Sequence, residues 1–365
     1  MVNFRPTEEQ ELIRETVTGF SREVLRSQAR EADERAAVPE TVVERAWELG
    51  LVQNSIPEAF GGYGNGRSAV RSAIKLEELA YGDLALALHL LAPRLLTVPL
   101  VVAGTDAQRA RWLPRFTGDR FVVGTAAYAE PDWDFSAPAF TTLAERRGGE
   151  WALNGRKCLV PLARQAEAIL VYASAPDGPA AFVVEPVTKG ITIGERELNM
   201  GIKALHTFPI TLDGVWVAAA DRLGGEGPTA DVRALIDAGR VAVAALAVGL
   251  ARAAFDHARD YAKERHAFGM AIARKQAIAF KLADMAIEID AMRLITWEAA
   301  WKLDRGEPAT RECVLAKQYA SQSALTVADS ALQVLGGHGY IRDHPVELWL
   351  RNACGLAVFD GLAIA

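Results

Sequence analysis

The first hundred residues carry a helical pattern. Leu12, Ile13, Val17, Phe20, Val24 and Leu25 recur at the three- and four-residue intervals that lay one apolar stripe along a helix. Thr7-Glu8-Glu9-Gln10 is a capping box that marks where this helix starts. A second helix is predicted from Pro39-Glu40 to Gly50, because proline suits a first turn and glycine a stop. SIPEAFGGYGNG, residues 55–66, reads as a loop, and helical runs follow over 70–81, 84–102 and 106–116. Near Phe121 the period changes. Val122, Val123, Thr125 and Tyr128 suit a strand, and Asn154-Gly155, between Trp151 and Leu159, predicts a hairpin closed by a type I′ turn. Short strands are predicted over 168–173, 180–185, 191–193 and 208–217, so 121–224 reads as a small antiparallel β unit. The helical period returns at Pro228, with helices predicted over 228–264, 272–303, 310–335 and 345–359. Gly306 and Pro308 separate the second of these from the third. Long helices with short connections form a bundle. The expected fold class is α+β, mainly α: an N-terminal helical domain (1–117), a middle antiparallel β domain (118–226) and a C-terminal four-helix bundle (227–365).

Composition narrows the partners. The 365 residues are half apolar and 24% charged, with a net charge of −6, which gives no basic surface for nucleic acid or an anionic membrane. The longest apolar-rich run, residues 241–250, is too short to span a bilayer, and no signal-peptide pattern opens the chain. Cys158, Cys313 and Cys354 are widely spaced, as expected of reduced thiols in a cytoplasmic protein. His89, His206, His257, His266, His338 and His344 lack the spacing of metal ligands, so no metal site is expected. Candidate chemistry gathers near the end. Gly336-Gly337-His338-Gly339 follows a helical run and would let backbone approach a ligand, and Phe359-Asp360-Gly361 places a lone carboxylate in an apolar stretch.

Several further stretches carry a resemblance. Pro57-Glu58-Ala59-Phe60-Gly61-Gly62, Glu77-Glu78-Leu79-Ala80, Glu130-Pro131, Tyr261 with Arg265-His266-Ala267-Phe268-Gly269, Leu282-Ala283-Asp284-Met285 and Gln333-x-x-Gly336-Gly337-x-Gly339-Tyr340 together resemble the acyl-CoA dehydrogenase family, over nearly the whole chain. The resemblance implies FAD-dependent α,β-dehydrogenation of an acyl thioester, with a carboxylate taking the α-proton while the β-hydrogen leaves as hydride. It also implies a homo- or hetero-tetramer in which FAD is shared between subunits, with electron-transfer flavoprotein as a candidate electron acceptor. The isoalloxazine would lie on one subunit's β domain and the adenine end on a neighbour's bundle.

The two ends of that cofactor site differ. Arg265 matches the arginine that reaches the pyrophosphate, Phe268 and Gln276 match the adenosine-side contacts, and Gln333, Gly336 and Gly337 match the turn that admits the ADP part. The flavin-ring signature is altered. Ala129 stands before Glu-Pro where the family has threonine or serine, and Leu159-Val160-Pro161 replaces aromatic–Ile–Thr, so a hydroxyl and a backbone donor are lost. Asp132-Trp133-Asp134-Phe135 replaces a glycine-rich loop with serine, and Gly201-Ile202-Lys203-Ala204-Leu205 replaces Gly-x-Arg-Gly-Ser.

Asp360 matches the family's catalytic glutamate, one methylene shorter, followed by Gly361, while Leu362 replaces a threonine that contacts FAD. The alternative base position, before Arg240, is Gly239, and Arg240 matches an arginine near the CoA site. Three readings stand open. The chain is a subunit lending its adenine-end site to a partner chain, a self-sufficient homotetramer with Asp360 as base, or a structural homologue without chemistry. The acyl group, on CoA or on a carrier protein, is not legible.

Overall fold

The computed structural model describes residues 5–64, 67–226 and 230–365. Its N-terminal part is helical. Helix α1 (Glu8–Phe20) opens on the predicted capping box, with Thr7 and Gln10 satisfying each other's backbone N–H. A π-helical turn, Ser21–Leu25, carries it into α2 (Arg26–Arg35), and α3 (Glu40–Glu48) and α4 (Ala69–Gly82) follow. The stretch expected as one helix over 84–102 is two, α5 (Leu84–Leu91) and α6 (Arg94–Ala103), bent by 49° around Pro93. Helix α7 (Asp106–Trp112) tightens into a 3₁₀ turn over Leu113–Phe116, which contains Pro114. Part of the predicted loop 55–66 is a 3₁₀ turn, Glu58–Phe60, and Asn65-Gly66 lie outside the described residues.

The middle part is one seven-stranded sheet: β1 (Gly124–Ala127), β2 (Leu143–Arg147), β3 (Glu150–Pro161), β4 (Ala168–Ala175), β5 (Gly178–Val184), β6 (Ile191–Ile193) and β7 (Thr207–Ala218). Two expectations are corrected here. The sheet is mixed, because β1 and β2 both run parallel to β4. Asn154-Gly155 does not turn the chain either, since β3 runs straight through it and bulges against β7. The sharp reversal falls at Gly148-Gly149 between β2 and β3. Glycine is needed at 155 for another reason: φ is +154°, and a Cβ would stand 2.5 Å from Thr142 Oγ1.

The C-terminal part holds α8 (Val232–Glu264), a small hairpin β8 (His266–Ala267) and β9 (Met270–Ala271), α9 (Gln276–Asp304), α10 (Thr310–Leu335), the single turn α11 (Gly337–Tyr340) and α12 (Val346–Cys354). The predicted start at Pro228 lies outside the described residues. Asp237 accepts from Thr310 at one end of α8 and Tyr261 meets His338 at the other, so α8 and α10 run parallel. Helix α8 is long and apolar enough to cross a membrane, yet 83% of its most apolar window is buried, which makes it the helix around which the domain cores meet. At its crossing with α4 a Cβ on Gly249 would come 2.0 Å from the Glu77 carbonyl oxygen. Gly249→Ala, ordinarily stabilising in a helix by about 1 kcal/mol, is therefore expected to destabilise by about 1–3 kcal/mol. A thermal melt checks the sign.

Candidate active site

The small space between the sheet and the bundle is walled by Tyr128, Tyr172, Ile236, Arg240, Asp360 and Gly361, among others. It measures ≈ 20 Å³, room for about one water. Tyr128 and Tyr172 close it from the sheet side, with Phe135 and Phe140 packed behind Tyr128. Tyr128 lies edge-on to Phe135, Phe140 and Tyr172 with centroids 5.9, 5.6 and 5.2 Å away. Burial, and then the nearby Asp360 charge, push the Tyr128 phenol well above its usual range. Gly361 sits at φ +79° with its Cα against this ring, since a Cβ there would meet the Tyr128 Cβ at 2.4 Å.

Asp360 is not a free carboxylate. Lys317 Nζ on α10 stands 3.2 Å from its Oδ1 but outside hydrogen-bonding geometry, so the two share charge while Oδ1 accepts no hydrogen bond. The same ammonium donates to the Ala357 carbonyl at 2.6 Å. Arg240 is also committed: it donates to Asp237 at 2.9 Å and to the Ala137 carbonyl at 3.2 Å, tying α8 to the sheet's loop.

The sheet surface is built around a buried ion pair. Glu130, just past β1, accepts from Lys157 Nζ and Thr142 N at Oε1 (both 2.8 Å), and from Thr141 N and Oγ1 at Oε2 (2.6 and 2.8 Å). Both side chains of the pair are 0% exposed. Burial pushes the Glu130 carboxyl up, but the Lys157 charge and these donors outweigh it and bring it down to about 2. Beyond the pair β3 is distorted. Leu159 takes φ +52°, and its N–H points to the Glu197 carboxylate at 3.0 and 3.2 Å. In the bulky loop, Trp133 is 96% exposed and Phe135 folds in against Tyr128. Segment 201–205 is shut onto α12, with Ile202 N donating to Asn352 Oδ1 at 2.7 Å.

The other end of the bundle is open. Arg265 caps α8 and is exposed, and no partner is formed by its guanidinium among the described residues. Phe268 and Gly269 form the β8–β9 turn with φ +54° and +78°. A phenylalanine in this conformation is strained, and its side chain is 93% exposed. Gln276 begins α9, also exposed. Gln333 and the exposed Gly336 and Gly337 end α10, which the 2.7 Å contact between Tyr261 Oη and His338 Nδ1 fastens to the last turns of α8. Among the described residues a Cβ on Gly336 or Gly337 would meet nothing within 4 Å, and only the φ of +58° at Gly336 disfavours a side chain there. Among the described residues no three His, Cys, Asp or Glu side chains are placed to share a metal ion.

Three family profiles match the chain: acyl-CoA dehydrogenase N-terminal domain at residues 7–119, middle domain at 125–215 and C-terminal domain at 225–363. A probable acyl-CoA dehydrogenase of Bacillus subtilis, YngJ, is 36% identical over 99% of this chain and 96% of its own. The mitochondrial short-chain specific acyl-CoA dehydrogenase of Rattus norvegicus is 33% identical, over 97% and 87%. The butyryl-CoA dehydrogenase structure from Megasphaera elsdenii superimposes with a TM-score of 0.88 and 31% identity, covering 99% and 96%. The chain belongs to the acyl-CoA dehydrogenase family.

Acyl-CoA dehydrogenases are FAD-dependent oxidoreductases acting on the CH–CH bond of acyl-CoA, typically as tetramers. The fit of that cofactor differs between the two ends. An acyl thioester does not fit the ≈ 20 Å³ beside Asp360, and on the ring side the Leu159 N–H is already taken by Glu197. At the adenine end the donors and glycines face solvent. Tyr128, Lys317 and Glu197 were missed from sequence. Tyr128 carried a signal, being a large aromatic directly before Ala129-Glu130, but Lys317 and Glu197 reach their partners only through the fold.

Proposed function

We propose that this chain is one subunit of a heteromeric acyl-CoA dehydrogenase, and that it lends its adenine-end site to FAD whose ring lies on a partner chain. The observation that carries this reading is the contrast between the closed space beside Asp360 and the solvent-facing set Arg265, Phe268, Gln276, Gln333, Gly336 and Gly337. Bound FAD supplies the hydride acceptor for α,β-dehydrogenation of an acyl thioester on CoA or on a carrier protein, with electron-transfer flavoprotein as the onward acceptor. This chain's part is positional. The Arg265 fork pairs with phosphate oxygens, Phe268 covers the adenosine side, and the bare glycines let backbone approach the ADP part. Co-purification of a second dehydrogenase-like chain tests it: with the partner, FAD-bound enzyme is expected, and the chain alone is expected to be colourless.

A self-sufficient homotetramer with Asp360 as base is the second reading, favoured by the carboxylate's place on the wall of the small cavity. The Lys317 contact weighs against it, because the ammonium 3.2 Å from Oδ1 would have to give way before the carboxylate could face a substrate. Asp360→Asn is expected to change turnover of the assembled complex less than about threefold, whereas loss of a general base costs on the order of 10²–10⁴-fold. Steady-state kinetics of the complex distinguish the two.

A further inference from the structure

A hollow larger than the one beside Asp360 lies elsewhere in the protein. It lies in the N-terminal domain between α1, α4, α6 and the turn at 51–64, and measures ≈ 340 Å³. Helix α6 separates the two spaces: Leu95 faces the small cavity, while Arg94, Val98 and Val101 face the large one.

Its lining divides by chemistry. Leu12, Ile13, Val17, Leu51, Val98 and Val101 supply an apolar wall. Lys75 and Arg94 supply charge, and neither forms an ion pair among the described residues. The Lys75 ammonium donates only to Asn54 Oδ1 (3.1 Å), and Arg94 Nη2 only to Ser72 Oγ (3.1 Å). Arg67 at the same cavity donates from Nε to the Ala365 carbonyl (3.0 Å), and its buried Nη2 has no acceptor. The single carboxylate of the lining, Glu9, is on the exposed rim and is held by Arg71 at 2.8 Å. Arg94 is 4% exposed. Burying cations without a counter-charge is costly, and such groups are normally paired. Burial, then the Arg94 and Arg71 charges, push the Lys75 ammonium down to about 7, and burial, then Arg67, push Arg94 down to about 10. An anion is the missing partner.

The shape narrows the anion. Leu12 and Tyr63 at the mouth are each 65% exposed, so the entrance is apolar, as is one wall. At roughly 30 Å³ per water, the hollow holds about eleven waters, the bulk of a carboxylate with about eight carbons. Inorganic phosphate would leave the apolar wall uncovered.

We infer that this cavity binds a small amphiphilic carboxylate, its head on Lys75 and Arg94 and its hydrocarbon body along Ile13, Val17 and Val98. The site is separate from the FAD contacts and stands whether or not the heteromeric reading holds.

Sodium octanoate titrated into the full-length chain by calorimetry tests this, with octan-1-ol and inorganic phosphate as comparison probes. Octanoate is expected to bind at least tenfold more tightly than either. Lys75→Met, which removes the charge and keeps the bulk, is expected to weaken octanoate about ten- to a hundredfold, the worth of a charge-assisted hydrogen bond. Ile13→Trp fills the hollow from its apolar side and is expected to block octanoate while circular dichroism stays unaltered. Absence of octanoate binding, or equal binding by wild type and both variants, overturns the inference. Phosphate binding as tightly as octanoate overturns the apolar half of it.

Discussion

Replacing Arg265 by alanine in the assembled complex is expected to weaken FAD retention by roughly 100-fold or more. Arg265 is exposed and carries no partner within the described chain, so its loss should leave the subunit's own stability within about 0.5 kcal/mol. Its guanidinium is suited to two parallel bonds to phosphate oxygens, each worth about 1.5–3 kcal/mol when charge-assisted. Arg265→Lys should recover only part of this, because an ammonium is a point charge without the planar fork. Flavin fluorescence on dilution of the complex measures the change. FAD retention within twofold of wild type would remove Arg265 from the cofactor site.

Lys157→Met is expected to cost about 3–5 kcal/mol of folding stability, the usual penalty for leaving one member of a buried pair alone. That corresponds to a melting temperature lower by roughly 10 °C. The reason is geometric. Lys157 holds Glu130 at 2.8 Å and the Tyr128 carbonyl at 3.2 Å, with the Phe140 ring 4.6 Å from the ammonium, and both members of the pair are sealed from solvent. The double variant Lys157→Met with Glu130→Gln should recover only part of the loss: no unpaired charge is then buried, but the glutamine NH₂ faces a backbone N–H at Thr141 or Thr142. The pair also sets an acid limit. Glu130's carboxyl is depressed in the folded state, so its contribution is complete above its unfolded value near 4.5 and fades as pH falls toward about 2. Acid unfolding followed by circular dichroism should show Lys157→Met less stable at neutral pH yet converging with wild type at the acid end.

Much of the architecture was legible because helix signals are local. The capping box at Thr7 and the stop at Gly50 (φ +70°) do what their residue types imply, and α10 spans the predicted 310–335. Failures occurred where a local signal met a tertiary demand. Asn154-Gly155 has the composition of a tight turn, but the glycine is required by a Thr142 backbone lying too close for a Cβ, and Asn154 accepts from Gly214 N across the bulge. Pro93 divides a run whose hydrophobicity is continuous on both sides. At the site, residue identity told what was lost from the ring side, such as the hydroxyl at Ala129. It did not tell what closes the space, which takes Tyr128 and Tyr172 from separate stretches of chain and Asp360 from the end of the bundle. The Lys317–Asp360 contact joins α10 to the turn after α12, which no motif links.

The central claim is that the FAD site is divided, with this chain holding only the adenine end. The FAD-to-chain ratio of the natively isolated protein measures this most directly. A colourless chain when purified alone, and about half an FAD per chain in a complex with a second dehydrogenase-like subunit, is the expected result. One FAD per chain in a homo-oligomer of this protein, with acyl-CoA oxidation, would contradict it.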